Sequence, residues 1–258
     1  MNWFSTSVME ALSMYKSLPI LYQDNYLVAV NKPAGLLVHR TNIDRHESEH
    51  AMKIVRDQLN QWVYPFHRLD KATSGVLLFA LDPEAGKRMT ELFTTGAVSK
   101  QYIAIVRGIT NEEEHIDYAL KEQWDKRGDQ RADKDKPAQQ ASTDYKRLAT
   151  MELPYPVGRY ATARYSLLSV APLTGRMHQI RRHMKHIFHP IIGDTTYGDG
   201  KQNEFFRTQF NCHRLLLHAH TLTFKHPYTN EGFRLQAPLD NDFSLLLEAL
   251  QWDKVELG

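Results

Sequence analysis

Short apolar runs, each too brief for a globular helix, recur along this chain with few helical segments between them. Val76-Leu77-Leu78-Phe79-Ala80 is the clearest, a continuous run of the kind a doubly buried strand requires. The stretch Ile20 to Val30 reads as two strands about a tight Asp24-Asn25 turn, and Tyr102–Val106, Ser142–Leu148, Tyr160–Val170 and Leu215–Phe224 read as further strands. A short helix is expected over 49–60, with Met52, Val55 and Leu59 on one face. A second is marked by Asp82 as cap, Pro83 in the first turn and Gly96 at the end, and a third follows Thr174-Gly175. Strands bunched around so few helices predict an α+β fold. Its central sheet is expected to be mixed and largely antiparallel, not doubly wound and parallel.

With 258 residues, 42% apolar and 24% charged, the chain can bury a substantial core, which excludes long disorder and fibrous architectures. Residues 1–17 read as an N-terminal arm without the pattern of a secretory signal, and 18–258 as one domain carrying a polar surface insertion over 121–137. No segment approaches the apolar length of a membrane span, so no membrane partner is expected. Cys212 is the single cysteine, which rules out an intrachain disulfide and a cysteine metal cage and fits a reducing, cytoplasmic setting.

Three segments carry chemistry. In Phe66-His67-Arg68-Leu69-Asp70-Lys71-Ala72-Thr73-Ser74-Gly75, an acid lies among basic residues just before the buried Val76–Ala80 run. A loop anchored by a rigid sheet suits a reactive carboxylate. Spacing alone favours a solvated Asp70 paired with Arg68 or Lys71. Ser74 lacks the nucleophile-elbow context of a serine hydrolase.

The second segment runs from Thr174 to His186. On a helix, His178, Arg181, Arg182 and Lys185 form a cationic face, and Met177, Ile180, Met184 and Ile187 an apolar one. Arg181 falls at the seam, where a permanently charged guanidinium needs a carboxylate partner; Asp70 is the expected one. No Asp or Glu occurs from Leu153 to Gly193, an interval that holds Arg159, Arg164, Arg176, Arg181, Arg182 and Lys185. Such clustering in a chain of net charge +2 points to a polyanion such as nucleic acid, with a solvated helix face as the alternative. The histidines from His178 to His226 lack a His-Glu-x-x-His pair, and no metal site is expected. Third, Tyr102 in Lys100-Gln101-Tyr102-Ile103-Ala104-Ile105-Val106 is either a core residue or a flat face for a base.

Together these segments resemble the pseudouridine synthase family of the RluA type. Asn-Lys-Pro-Ala-Gly-Leu-Leu-Val-His (31–39), His-Arg-Leu-Asp with Thr-Ser-Gly (67–75), Lys-Gln-Tyr-Ile-Ala-Ile-Val-Arg-Gly (100–108) and Thr-Gly-Arg-Met-His-Gln-Ile-Arg (174–181) follow the family's motifs in order. Pro-Ile-Ile-Gly-Asp (190–194) and Leu-Leu-Leu-His-Ala (215–219) complete the series. Gly158–Tyr165, the Arg-Arg-His after Ile180 and the lack of an N-terminal S4 domain resemble the members that modify uridine-65 in the T-stem of tRNA. A ribosomal RNA substrate is the alternative within the family, and a non-catalytic RNA-binding protein or a metal-dependent phosphodiesterase lies outside it.

The resemblance implies a sheet in two halves with a central cleft, flanking helices, and an isomerase working as a monomer without cofactor. Asp70 would be the essential carboxylate, Arg181 its charge partner and Tyr102 a stacking residue that assists the last proton loss. Arg68 would fill the gap left by a flipped base, with Ile180 and Leu217 walling the pocket. His67, Arg176 and Arg182 would complete the substrate contacts, Arg182 toward phosphate.

Overall fold

In the computed structural model, described over residues 16–39, 49–122 and 137–258, a ten-stranded sheet carries the fold. The strands are β1 (Ile20–Gln23), β2 (Leu27–Lys32), β3 (Tyr64–Pro65), β4 (Ser74–Ala80), β5 (Ser99–Arg107), β6 (Glu113–Asp117), β7 (Ser142–Leu153), β8 (Ala163–Pro172), β9 (Leu217–Lys225) and β10 (Gly232–Gln236). The helices are α1 (Ala51–Leu59), α2 (Pro83–Thr94), α3 (Gln179–His186), α4 (Gly200–Phe210) and α5 (Asn241–Ala249). The fold is α+β, as the sequence predicts.

The strand order is β1-β2-β4-β9-β5-β8-β7-β6, with β3 added on β4 and β10 on β9. Every pairing is antiparallel except β4 with β9, a parallel contact of two residue pairs, Ser74 with His218 and Gly75 with Ala219. That short seam joins the two halves. Gly75 has φ +113°, and a Cβ there would lie 2.1 Å from the Ala219 carbonyl oxygen, so only glycine lets the strands approach this closely.

Central strands are covered on both faces, which is why they read as unbroken apolar runs. Val28, Val30, Leu77 and Phe79 pack with Ala51, Ile54 and Val55 of α1, while Leu27, Ala29, Leu78 and Ala80 pack with Ala85 and Met89 of α2. In the other half, Ala104, Val106, Leu168 and Val170 meet Ile180 and Met184 of α3. Ile103, Ile105, Tyr165 and Leu167 meet Phe206 of α4 and Phe243, Leu246 and Leu247 of α5. The expected α2 signals act as read: the Asp82 side chain accepts from the Ala85 amide, and Gly96 takes φ +76° just past the helix.

Some expectations shift. The inward residues of α1 are Ala51, Ile54 and Val55, with Met52 and Leu59 only partly buried. Helix α3 begins after His178, so Met177 lies outside it and is exposed instead of joining an apolar face. The arm is described only from residue 16, and 123–136 of the expected insertion lie outside the described residues. No described helix is long and apolar enough to cross a membrane.

Candidate active site

Asp70 sits in the loop between β3 and β4, four residues before the seam, and its carboxylate is about one quarter exposed (24%). The loop is tied down locally: the Thr73 amide donates to the Asp70 carbonyl, and the Gly35 amide to the Lys71 carbonyl. Lys32, fully buried at the end of β2, donates its ammonium to the carbonyls of Pro33, Leu36 and Lys71 at 2.8, 2.8 and 3.2 Å. It thereby fastens the segment after β2 to the Asp70 loop. Burial pushes the Lys32 pKa down to about 7, with Arg214 adding to the fall and Asp70 opposing it.

Arg181, buried on α3, donates from Nη1 to Asp70 Oδ2 at 3.3 Å. The seam position thus brings Arg181 to Asp70 as expected, but its principal partner is another residue. Asp194, whose side chain is completely buried, accepts from Arg181 Nε at 2.7 Å and Nη2 at 2.9 Å. Asp194 Oδ1 also accepts from the amides of Thr196 and Tyr197. Burial favours a neutral Asp194, but the Arg181 and amide hydrogen bonds outweigh it and hold the carboxyl below the usual carboxylate range. Burial likewise opposes charge on Arg181, and its two carboxylates more than offset that.

His178 closes the cluster. It precedes α3 with φ +54°, its Nδ1 hydrogen-bonds the Tyr197 hydroxyl at 3.0 Å, and its Nε2 lies 3.8 Å from Asp70 Oδ2. Burial lowers its pKa and Asp70 opposes the shift. A non-glycine residue at positive φ beside the Asp70 carboxylate is a local strain of the kind concentrated at working sites. Tyr197 also lies under the Arg181 guanidinium, 5.1 Å from ring centroid to Cζ.

Tyr102 on β5 lies opposite Ala219 of β9, the residue that also pairs Gly75, so the tyrosine and the Asp70 loop flank the same seam. It packs on the cluster that contains Ile180 and Leu217, with Ala72 of the Asp70 loop against it as well. Burial raises the Tyr102 pKa, and the Asp70 charge adds to the rise, so the phenol stays neutral. Tyr102 thus packs on the apolar cluster that includes Ile180 and Leu217 and lies near the Asp70 carboxylate held by Arg181. A planar, partly polar group entering there would find a stacking face, a hydrophobic surround and one anion.

The other expected contacts scatter. Arg68 is exposed, two residues from Asp70. His67 turns away from the site: its Nε2 accepts from the Leu78 amide at 2.9 Å and its ring stacks on Phe93, so it secures the loop to β4. Arg176 donates to the Gln140 carbonyl, and Arg182 to the carbonyls of Met177 and Lys121. Among the described residues no group of three or more His, Cys, Asp or Glu could hold a metal ion.

Residues 26–186 match the family model for RNA pseudouridylate synthase. A curated relative from Vibrio parahaemolyticus, tRNA pseudouridine synthase C, is 51% identical over 92% of this chain and 96% of its own length. Another of that name from Haemophilus influenzae is 52% identical over 92% of this chain and all of its own. The solved structure of human RNA pseudouridylate synthase domain containing 4 superposes with a TM-score of 0.69 at 26% identity, covering 92% of this chain and 94% of the other. The chain belongs to the RNA pseudouridylate synthase family and is an isomerase of that class.

Proposed function

We propose that this chain isomerises uridine-65 of tRNA to pseudouridine, with Asp70 as its essential carboxylate. The observation that carries the reading is the Asp70–Arg181–Asp194 arrangement, with Tyr102 nearby on the apolar cluster of Ile180 and Leu217. The identity to relatives named tRNA pseudouridine synthase C supports the choice of RNA.

The reaction breaks the C1′–N1 bond, turns the uracil, and forms a C1′–C5 bond; C5 gives up its hydrogen and N1 gains one, so nothing is oxidised or reduced. A uridine within the T-stem must first leave its stack, at about a few kcal/mol. Arg68, exposed at the mouth, fills the gap, and Tyr102 stacks on the extruded base. Arg181 holds the Asp70 carboxylate in place while the base covers it, because Arg181 is itself clamped by Asp194. Asp70 then acts on the ribose or the base, and the neutral Tyr102 phenol relays the C5 proton. Ile180 and Leu217 retain the detached uracil. Arg176 and Arg182 serve the RNA backbone, and the enzyme works as a monomer.

Replacing Asp70 by Asn preserves shape and removes charge. Asp70→Asn is expected to bind unmodified tRNA within roughly threefold of the parent while pseudouridine formation falls by at least about 1000-fold. Turnover near the parent rate, measured by mapping pseudouridine in a tRNA transcript, would remove Asp70 from this role.

A further inference from the structure

Helix α3 ends in a turn that places Phe188 at φ +64°. The left-handed region disfavours a bulky side chain, and a helix-end position of this kind ordinarily goes to glycine. The turn is pinned on all sides. The Phe188 amide donates to the Lys185 carbonyl at 3.1 Å, and the His189 amide to the Met184 carbonyl at 2.9 Å. His189 Nδ1 donates to the Arg107 carbonyl at 2.8 Å, and Ile191 bridges to Val106 of β5. The backbone has no freedom to relieve Phe188.

The side chain packs on almost nothing. Phe188 is 85% exposed, more than any other exposed large apolar residue described. Burial therefore does not explain a phenylalanine here, and backbone conformation argues against one. The end of α3 that leads to Phe188 holds an aromatic pair and cations, with Asp117 as the acid that acts on His183 of the same helix. His186 stacks on the half-exposed Tyr118 at 3.6 Å between ring centroids and 14° between planes. Lys185 is exposed, and no acid occurs between Leu153 and Gly193. Phe188 follows the C-terminal end of α3, the helix that carries Arg181, the residue that contacts Asp70.

An exposed ring at the cationic end of the helix that carries Arg181, whose guanidinium contacts Asp70, matches what a nucleic acid needs: a flat face for a base and charge for the adjoining phosphates. We propose that Phe188 is an RNA-binding residue whose ring stacks on an exposed base or ribose of the substrate, outside the Asp70 pocket, with Lys185 facing the neighbouring phosphate. The proposal deepens the tRNA reading and rests on it. A protein surface is disfavoured as the occupant, because it would have to be acidic around an apolar knob, whereas RNA supplies both features at once.

The test is steady-state pseudouridine formation on an unmodified tRNA transcript by the full chain and by Phe188→Ala, Phe188→Gly and Phe188→Trp. Loss of one base–aromatic stack is expected to raise KM about tenfold in the Ala and Gly variants. Their kcat should stay within roughly twofold of the parent, since the contact is made equally in ground and transition states. Phe188→Trp should keep the parent KM. Phe188→Gly should also raise the Tm, because glycine accepts the backbone conformation, which separates weaker RNA binding from a damaged fold. An unchanged KM in both Ala and Gly variants overturns the proposal. So does a parent dimer that dissociates in Phe188→Ala, since the ring would then meet a second copy of the chain. If the parent modifies no tRNA, the substrate reading fails instead, and the same KM comparison on ribosomal RNA still decides Phe188.

Discussion

At Arg181 the guanidinium divides between two carboxylates, Nε and Nη2 toward Asp194 at 2.7 and 2.9 Å and Nη1 toward Asp70 at 3.3 Å. The shorter, two-pronged pairing goes to the fully buried acid, and the longer single contact to the partly exposed one. This division lets Arg181 position Asp70 through one long contact while its two short ones go to Asp194. Asp194→Asn should therefore damage both the fold and the reaction. Removing one member of a buried pair is expected to cost on the order of 3 kcal/mol of stability, and kcat should fall because Arg181 loses its clamp. Urea unfolding with an unchanged midpoint would contradict the assignment. The seam position of Arg181 made its contact with Asp70 legible in the sequence, whereas spacing alone left Asp70 open to a solvated ion pair. Asp194 carried a weaker signal, the first acid after an acid-free interval, immediately after Gly193. Helical spacing cannot choose between two acids that reach Arg181 from different loops, so the choice of Asp70 as the buried partner was half of the answer. His67, which the resemblance gives to the substrate, instead accepts from the Leu78 amide through its Nε2.

Among the elements, β4 and β9 set the geometry, since Tyr102 and Leu217, on the paired strands β5 and β9, reach the strand that follows the Asp70 loop through the Ser74–Gly75 contact. Gly75→Ala tests that seam. A methyl group 2.1 Å from the Ala219 carbonyl oxygen, at φ +113°, forces the strands apart. A loss on the order of 3 kcal/mol is expected, visible as a lower urea midpoint, with activity reduced even where the protein stays folded. A variant as stable and active as the parent would show that the close approach is dispensable. The strands around this seam were legible because both faces are buried and the runs are apolar. Elements missing from the sequence reading had other patterns. β6 is Glu-Glu-His-Ile-Asp with only Ile116 buried, and β3 is a two-residue addition to β4. β10 buries only Leu235, and α4 opens on Gly-Lys-Gln-Asn-Glu, polar until Phe205. Helix α5 has an ordinary cap, with Asp240 accepting from the Phe243 amide, but its apolar residues follow each other closely and read equally as a short strand. Tertiary packing, not local preference, selects these elements.

At the scale of the whole molecule, burial disfavours the charged form of six described histidines, His39, His67, His178, His183, His218 and His220, and this gives the fold a defined acid limit. His218 is fully buried, with Nδ1 on the Ser74 hydroxyl at 2.8 Å and Nε2 on the Ala237 carbonyl at 3.2 Å. A carbonyl can only accept, so Nε2 carries the hydrogen and Nδ1 accepts from Ser74, whose oxygen accepts in turn from Arg214. No second proton fits, and burial lowers the His218 pKa to about 3. Loss of surrounding water lowers His67 to about 4, with Lys100 adding to the fall, and burial shifts His39, His178, His183 and His220 in the same direction. Each of these groups takes up its proton more readily when the chain is unfolded. Their contribution is complete above the ordinary histidine value near 6.5 and is lost as pH falls from there toward the folded values near 4 and 3. Over that window each strongly shifted histidine adds a slope approaching ~1.4 kcal/mol per pH unit. Asp194 and Asp24, held low by their partners, lose their contribution only from about 4 downward, so the two effects separate on the pH axis. Urea unfolding should therefore give a nearly constant stability from pH 8 to about pH 7 and a steep fall between about 6 and 4.5. In His67→Gln an amide oxygen can still accept from Leu78 but cannot titrate, so the slope in that window should be shallower by up to one proton. A parent stability that stays flat down to pH 5, or a variant with the parent slope, would mean that these interior histidines do not set the acid limit.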